Sequence, residues 1–263
     1  MNGIVKVVQQ IGNGGHVYLP KELVGKKVAV SVVEKSIEDI RGEFMGMLHK
    51  ELEHIKGIYL YGSYTRGEQT AESDIDVLVI TDGKVKIKQK INEYDIVSAT
   101  TSEIQNTLKN NAVLLLPILK EAKALLNCQL IEEYKHEILT KKNTKWYIET
   151  TKSSLNLAGR MIDDWDKGSI ANVIYPLIMR LRGLYLIKSL VLAKSYSNKQ
   201  LIDSISEAGI TGAKVKEIYR MYREYRDSKH ISANTLNKED VVKLHNLTEK
   251  ELKKVKLLWE KLN

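Results

Sequence analysis

The sequence predicts an α+β protein: a small mixed-sheet domain preceded by an N-terminal β unit and followed by a C-terminal helical bundle. Three observations carry this. Residues 4–33 alternate β-branched runs with a glycine-rich turn. Apolar runs at 58–61, 75–80 and 94–97 are each bounded by polar, turn-rich stretches. From Thr144 onward the apolar positions fall three and four apart, the period of a helix face. The boundaries that follow are 1–35 for the β unit, 36–139 for the mixed domain and 140–263 for the helices.

Taken in order, the first segment reads Ile4-Val5-Lys6-Val7-Val8, then Gly12-Asn13-Gly14-Gly15, then Val17-Tyr18-Leu19-Pro20, and ends in a valine-rich run at 28–33. The glycine cluster supplies the positive φ angles of a tight turn. So few strands bury little on their own, so completion by a second copy, a homodimer, is expected, with a packing appendage as the plainer alternative. Residues 36–53 set Ile37, Ile40, Phe44, Met47, Leu48 and Leu52 on one helix face. The strands at 58–61, 75–80 and 94–97 follow, then segments at 112–120 and 128–135 that read as helical or mixed, and a lysine-rich polar link at 139–143. Beyond it, Ala158, Met161, Ile162 and Trp165 share one helix face, and Val173, Ile174, Leu177, Ile178, Leu181 and Leu184 another. Pro176 inside that run predicts a kink or a shifted helix start. Further helices are expected at about 198–208, 211–227 and 238–262, and Trp146, Trp165 and Trp259 fall at core positions.

Composition narrows the function classes. With 263 residues, 43% hydrophobic and 28% charged, the chain is long and apolar enough to fold. Its one cysteine, Cys128, excludes an internal disulfide and a multi-cysteine zinc cluster, and fits a reducing, cytoplasmic setting. The longest apolar run, 112–119, is far shorter than the roughly 20 residues that cross a bilayer, and Met1-Asn2-Gly3 opens no signal peptide, so no membrane span is expected. The net charge of +8 is uneven: residues 1–35 carry five basic and two acidic groups, 36–135 twelve and sixteen, and 136–263 twenty-four and fifteen. An acidic middle suits cations and a basic C-terminal half suits polyanions, nucleic acid among them, although a solvated lysine-rich surface reads the same way.

The chemistry concentrates in Ile58-Tyr-Leu-Tyr-Gly62-Ser63-Tyr-Thr-Arg66-Gly67 and, six residues later, Asp74-Ile-Asp76-Val-Leu-Val-Ile. Side chains at i and i+2 of a strand point the same way, so Asp74 and Asp76 converge while Ile75 and Val77 face the core. Two carboxylates that close are costly unless a cation lies between them, and Mg²⁺ or Mn²⁺ is the natural partner of hard oxygen ligands. Gly62 lets backbone approach a phosphate, Ser63 adds a hydroxyl donor and Arg66 is a candidate phosphate clamp. Lys84, Lys86, Lys88 and Lys90 can neutralise a triphosphate, though a solvated hairpin is the plainer reading. His16, His49, His54, His136 and His245 show no metal-ligand spacing and read as structural or surface residues.

These residues resemble the nucleotidyltransferase superfamily that includes DNA polymerase β: a strand, Gly-Ser, a short helix with Arg-Gly, then Ser-Asp-Ile-Asp on the next strand. The match runs from Tyr61 to Ile80 without a gap. The resemblance implies a two-metal site in which Asp74 and Asp76 hold Mg²⁺ or Mn²⁺ against a nucleoside triphosphate, ATP in the first instance, one ion activating the attacking hydroxyl and the other neutralising pyrophosphate. It also implies a third carboxylate on a later strand, for which Asp95 is the choice and Glu93 the runner-up. The nucleotide contacts implied are Gly62, Ser63 and Arg66. The acceptor is open between a protein hydroxyl, an RNA end and a small molecule such as an aminoglycoside. A non-catalytic nucleic-acid-binding regulator or antitoxin-like protein that keeps the fold is the rival reading.

The flanks carry weaker resemblances. Ile11-Gly-Asn-Gly-Gly-His-Val-Tyr-Leu-Pro-Lys21 resembles archaeal transposon-associated small proteins and, more loosely, AbrB-type DNA-binding domains. The helical region, with Tyr175-Pro-Leu-Ile-Met-Arg180-Leu-Arg182-Gly and Tyr219-Arg-Met-Tyr-Arg223-Glu-Tyr-Arg226-Asp, is similar to the HEPN bundles. Their ribonuclease pattern is an Arg, a polar residue and a His; Arg223 and His230 have the spacing, but Glu224 departs from it, so no ribonuclease activity is expected. The basic, tyrosine-rich face more simply binds RNA, a nucleotide or the transferase domain.

Overall fold

The computed structural model describes residues 4, 6, 8–30, 35–69, 73–165, 170–194, 196–210, 212–226 and 235–262. They pack as two units, Met1–Leu52 and Glu53–Asn263.

In the first unit β1 (Gln9–Ile11) and β2 (Gly14–His16) form an antiparallel hairpin in which Gln9 faces His16. Gly12 turns it with a φ of +55°. The expected strands at 17–20 and 28–30 are absent, and 31–33 lie outside the described residues. A two-stranded ladder buries too little apolar surface to hold further strands, and Ile4, Val8, Val24, Val28 and Val30 are all at least half exposed. Helix α1 (Ile37–Met47) begins at a capping box between Ser36 and Asp39 and buries Ile40 and Phe44.

The second unit holds a five-stranded sheet of β3 (Ile55–Tyr61), β4 (Ile75–Thr81), β5 (Lys90–Ile91), β6 (Tyr94–Thr100) and β7 (Lys123–Leu126), in the order β5-β6-β4-β3-β7. Only the β4–β6 pair is parallel. Central β4 buries Ile75 and everything from Val77 to Thr81, which is why it reads as a nearly unbroken apolar run. Four short helices attend the sheet: α2 (Ser63–Arg66), α3 (Thr101–Asn110), α4 (Leu115–Glu121) and α5 (Cys128–Lys135). Strand β7 falls between the two segments that read as helical or mixed, its four residues too few to set up an alternation.

Helices α6 (Lys141–Asp163), α7 (Ile170–Val191), α8 (Asn198–Glu207), α9 (Ala213–Arg226) and α10 (Lys238–Trp259) make the C-terminal bundle. The lysine-rich link is in fact the first turn of α6: Thr140 and Asn143 form a capping box there, and buried Asn143 donates to the Leu108 and Ile138 carbonyls. Among the described residues helix α7 runs from Ile170 through Pro176 to Val191, with 166–169 before it outside the described residues. The proline forfeits one bond, to the carbonyl of Asn172 in the first turn, an exposed position where water can take the missing donor's place. By length and composition α7 can cross a membrane, contrary to the expectation, yet ten of its 22 residues are buried in the bundle, as befits a core helix. Trp146 is not a core residue; it is 52% exposed and lies under the Arg180 guanidinium. Sheet and bundle share one apolar core, in which Tyr59, Leu78 and Ile80 join Leu116, Tyr147, Leu177 and Leu181.

Candidate active site

The site is built where β3 ends. Tyr61, the last residue of β3, lies opposite Asp76 of β4, and Asp76 is in register with Asp95 of parallel β6. Paired residues of neighbouring strands share a face, so Asp76 and Asp95 stand side by side, and Asp74 lies just before β4 begins. Gly62, with a φ of +77°, has its α-carbon pressed against this group: a Cβ there would lie 2.0 Å from Asp76 Oδ2. The glycine is therefore required twice, by its backbone angle and by the carboxylate beside it.

Burial, then the charges of Asp95 and Asp74, push the Asp76 carboxyl up to about 6, while Arg182 and Arg226 work the other way. Such crowding of acids marks a place that favours a cation. Hard carboxylate oxygens on adjacent strands fit Mg²⁺ or Mn²⁺. Among the described residues, no group of three His, Cys, Asp or Glu side chains is drawn together as a metal cluster. Asp74 is turned to an ion pair with Lys90, the residue that faces Asp95 across the β5–β6 ladder. That lysine belongs to the run read as a solvated hairpin. Glu93 precedes β6, exposed, and its carbonyl accepts from the Ile75 amide.

Ser63 opens α2 directly after Gly62. Arg66 closes that helix but is not directed at the carboxylates: Nη1 donates to both oxygens of Glu121, at 2.9 and 2.7 Å, and Nε donates to Glu68 at 3.0 Å. Glu121 Oε1 also accepts from the Gly62 amide at 2.9 Å, so a carboxylate at the end of α4 holds the whole Gly62–Arg66 turn. Glu68 in turn accepts from Ser197 Oγ at 2.7 Å. Nothing local in the sequence points to Glu121, which lies 55 residues from Arg66.

The bundle supplies the opposite wall. The Arg66 and Arg182 guanidinium groups both lie against the Tyr196 ring, 5.8 and 5.9 Å from its centroid. Burial works against the charge of Arg182, but the phenols of Tyr196, Tyr222 and Tyr219 together raise its pKa. Burial and the Asp76 and Asp95 charges keep the Tyr61 phenol neutral by raising its pKa. In the sequence Arg182 and Arg226 stand out only as part of a basic face; their approach to Asp76 comes from tertiary packing. Elsewhere His54 pairs with Asp82 at 3.1 Å and His245 Nε2 lies 3.0 Å from the Leu155 carbonyl, both structural. His230 lies outside the described residues, so the Arg223–His230 spacing has no geometry to set beside it.

Residues 46–144 match the family described as Polymerase beta, Nucleotidyltransferase, and residues 2–36 match a family of transposon-encoded proteins, DUF2080. No curated protein matches the chain. Among solved structures the chain is similar to the spectinomycin adenyltransferase AAD(9) from Enterococcus faecialis with ATP and spectinomycin, at 16% identity and a TM-score of 0.42, over 83% of this chain and 100% of that one. A nucleotidyltransferase-like protein from Exiguobacterium sibiricum is similar at 12% identity and a TM-score of 0.38, over 84% and 77% of the two chains. A toxin-antitoxin structure with AMP-PNP follows at 19% identity and a TM-score of 0.26, over 47% of this chain and 96% of that one. The match to the Polymerase beta, Nucleotidyltransferase family spans the five-stranded sheet and its carboxylates, within an α+β framework.

Proposed function

We propose that this protein transfers a nucleoside monophosphate from a nucleoside triphosphate, ATP in the first instance, to a hydroxyl acceptor. The observation that carries the reading is the alignment of Asp76 with Asp95 across the parallel β4–β6 pair, closed on one side by the α-carbon of Gly62. Asp76 and Asp95, with Asp74 once released from Lys90, are the residues that would hold Mg²⁺ or Mn²⁺. When bound, such an ion stabilises the charge that develops on the phosphoryl oxygens and the leaving pyrophosphate. Gly62 gives the triphosphate close access to backbone and Ser63 adds a hydroxyl donor. Arg66, committed to Glu121 and Glu68, acts as the residue that positions this turn rather than as a phosphate clamp. Lys90 takes the clamp role better, since a triphosphate offers its ammonium group an alternative to Asp74.

The test is incubation with each α-labelled nucleotide and Mg²⁺ or Mn²⁺, with and without total RNA and protein. Asp76→Asn and Asp74→Asn remove a charge at constant volume and are expected to reduce labelling about a thousandfold or more, as loss of several kcal/mol of transition-state stabilisation requires. Asp95→Asn should follow closely. Ser63→Ala, deleting one neutral hydrogen bond, should cost about 1 kcal/mol, or severalfold. Equal nucleotide binding and labelling by wild type and Asp76→Asn would replace this reading with that of a non-catalytic nucleic-acid-binding regulator.

A further inference from the structure

The turn that would receive the triphosphate is held from two sides, and the second hold comes from the helical bundle. From one side Glu121, at the end of α4, accepts from the Gly62 amide and from Nη1 of Arg66. On the other stands Glu68, two residues past the end of α2. Its amide donates to the Ser63 carbonyl at 3.0 Å, and one oxygen of its carboxylate accepts from Arg66 Nε at 3.0 Å. The second oxygen accepts from Ser197 Oγ at 2.7 Å, across 129 residues of chain. Ser197 is the N-cap of α8, and its Oγ accepts in turn from the Lys199 amide at 3.1 Å. Burial works against the Glu68 charge, but the bonds from Ser197, Arg66 and the Asn198 amide outweigh it and keep the carboxyl below its ordinary value. A carboxylate is also favoured at the positive end of a helix. Tyr196, just before the cap, lays its ring against the same Arg66 guanidinium, whose side chain is only 14% exposed.

A serine caps a helix with its oxygen as acceptor, which leaves the hydroxyl proton free to donate. Here that proton goes to the carboxylate whose own amide closes the turn on Ser63. A displacement of the first turn of α8 therefore reaches the hydroxyl donor of the nucleotide turn through two hydrogen bonds, the first of them to an ionised group and so of the stronger, more directional kind. We infer that Glu68 and Ser197 are positioning residues whose bond clasps the bundle to the Gly62–Arg66 turn and sets how tightly that turn holds the triphosphate. The inference rests on the transferase reading above and gives the bundle a hold on nucleotide affinity. The Asp76–Asp95 pair is placed by the β4–β6 register instead, so metal binding there is expected to be indifferent to the clasp.

The experiment uses the full chain and reads three affinities by isothermal titration: Mn²⁺ alone, ATP with Mn²⁺, and inorganic tripolyphosphate with Mn²⁺. Ser197→Asp is the decisive variant, since aspartate caps a helix as well as serine does but cannot donate to Glu68 and repels it. It is expected to weaken ATP and tripolyphosphate equally, about tenfold, the effect of losing a charge-assisted bond. Its Mn²⁺ affinity should not change, which also reports that the variant is folded. Ser197→Thr keeps the hydroxyl and should bind like wild type. Glu68→Gln alone should lose a similar factor. Combined with Ser197→Asp it should regain most of the loss, because the glutamine amide donates to the new carboxylate while its oxygen still accepts from Arg66. Wild-type ATP affinity in Ser197→Asp, or a double variant whose losses multiply, overturns the clasp. Mn²⁺ affinity lost in parallel with ATP does the same, since it marks general loosening. The two levels separate at Asp76. Absent ATP binding, or binding that Asp76→Asn leaves unaltered, sinks the transferase reading itself, whereas Asp76-dependent binding that the Ser197 and Glu68 variants share sinks only the clasp.

Discussion

At Asp76 a partly buried carboxyl is pushed up to about 6 from an ordinary value of 3.8 by burial, then by the charges of Asp95 and Asp74. For an acid raised on folding, the unfolded chain gives up its proton first. Stability that is whole below the unfolded value is therefore lost as pH rises toward 6. The shift corresponds to no more than about 3 kcal/mol at neutral pH, and partial solvent access reduces that. Asp76→Asn, which removes the charge at constant volume, is accordingly expected to raise the melting temperature of the metal-free protein by a few degrees near pH 8, with the gain fading toward pH 4. Calorimetry across that range checks it, and a variant less stable than wild type at pH 8 would count against the crowding described here. Asp74, Asp76 and Asp95 were legible as acids set in or beside apolar runs, though the alignment of Asp76 with Asp95 comes from the β4–β6 register and Asp74, just before β4, is turned to Lys90. Glu121, Arg182 and Arg226 were not, since their places depend on how α4, α7 and α9 pack. Arg66 shows the opposite failure, a residue of the right type in the right motif whose side chain is taken up by two carboxylates.

Among the elements, the long periodic helices were the most legible and the short ones the least. Helices α8, α9 and α10 fall within two or three residues of their expected bounds, because ten or more residues of 3.6-fold pattern outweigh local ambiguity. Strand β7 and the start of α6 were missed where a four-residue strand and a Thr-x-x-Asn cap were the only signals. Gly183 carries a signal that only packing reveals. A Cβ there would lie 1.8 Å from the Tyr147 hydroxyl, which donates to the Met179 carbonyl at 3.0 Å and ties α6 to α7. Gly183→Ala must displace a buried ring, at a cost of about 1 to 3 kcal/mol set against the small helix-propensity gain of alanine. Its neighbour Arg182 would move with the helix. The expected outcome is a lower urea midpoint, and an unchanged midpoint would mean that the ring has space the packing does not reveal.

At the scale of the whole molecule, charge is uneven, with a basic excess at both ends and an acidic middle, a distribution that suits polyanions at the ends and cations between them. In the N-terminal unit three β runs were expected; among the described residues β1 and β2 form a hairpin, and Ile4, Val8, Val24, Val28 and Val30 are exposed. Alternating valines without a partner edge are what a strand donated by a second chain would pair with. With five basic residues against two acidic, the same segment is suited to duplex DNA once paired. The full chain is therefore expected to run as a dimer in sedimentation and to bind duplex DNA with an affinity that falls steeply as salt rises. A chain beginning at Ser36 should sediment as a monomer and lose most of that affinity while keeping nucleotide binding at Asp76. A truncated chain with the dimer's mass and undiminished DNA affinity would show that neither property belongs to the first 35 residues, and would return the N-terminal unit to a packing appendage.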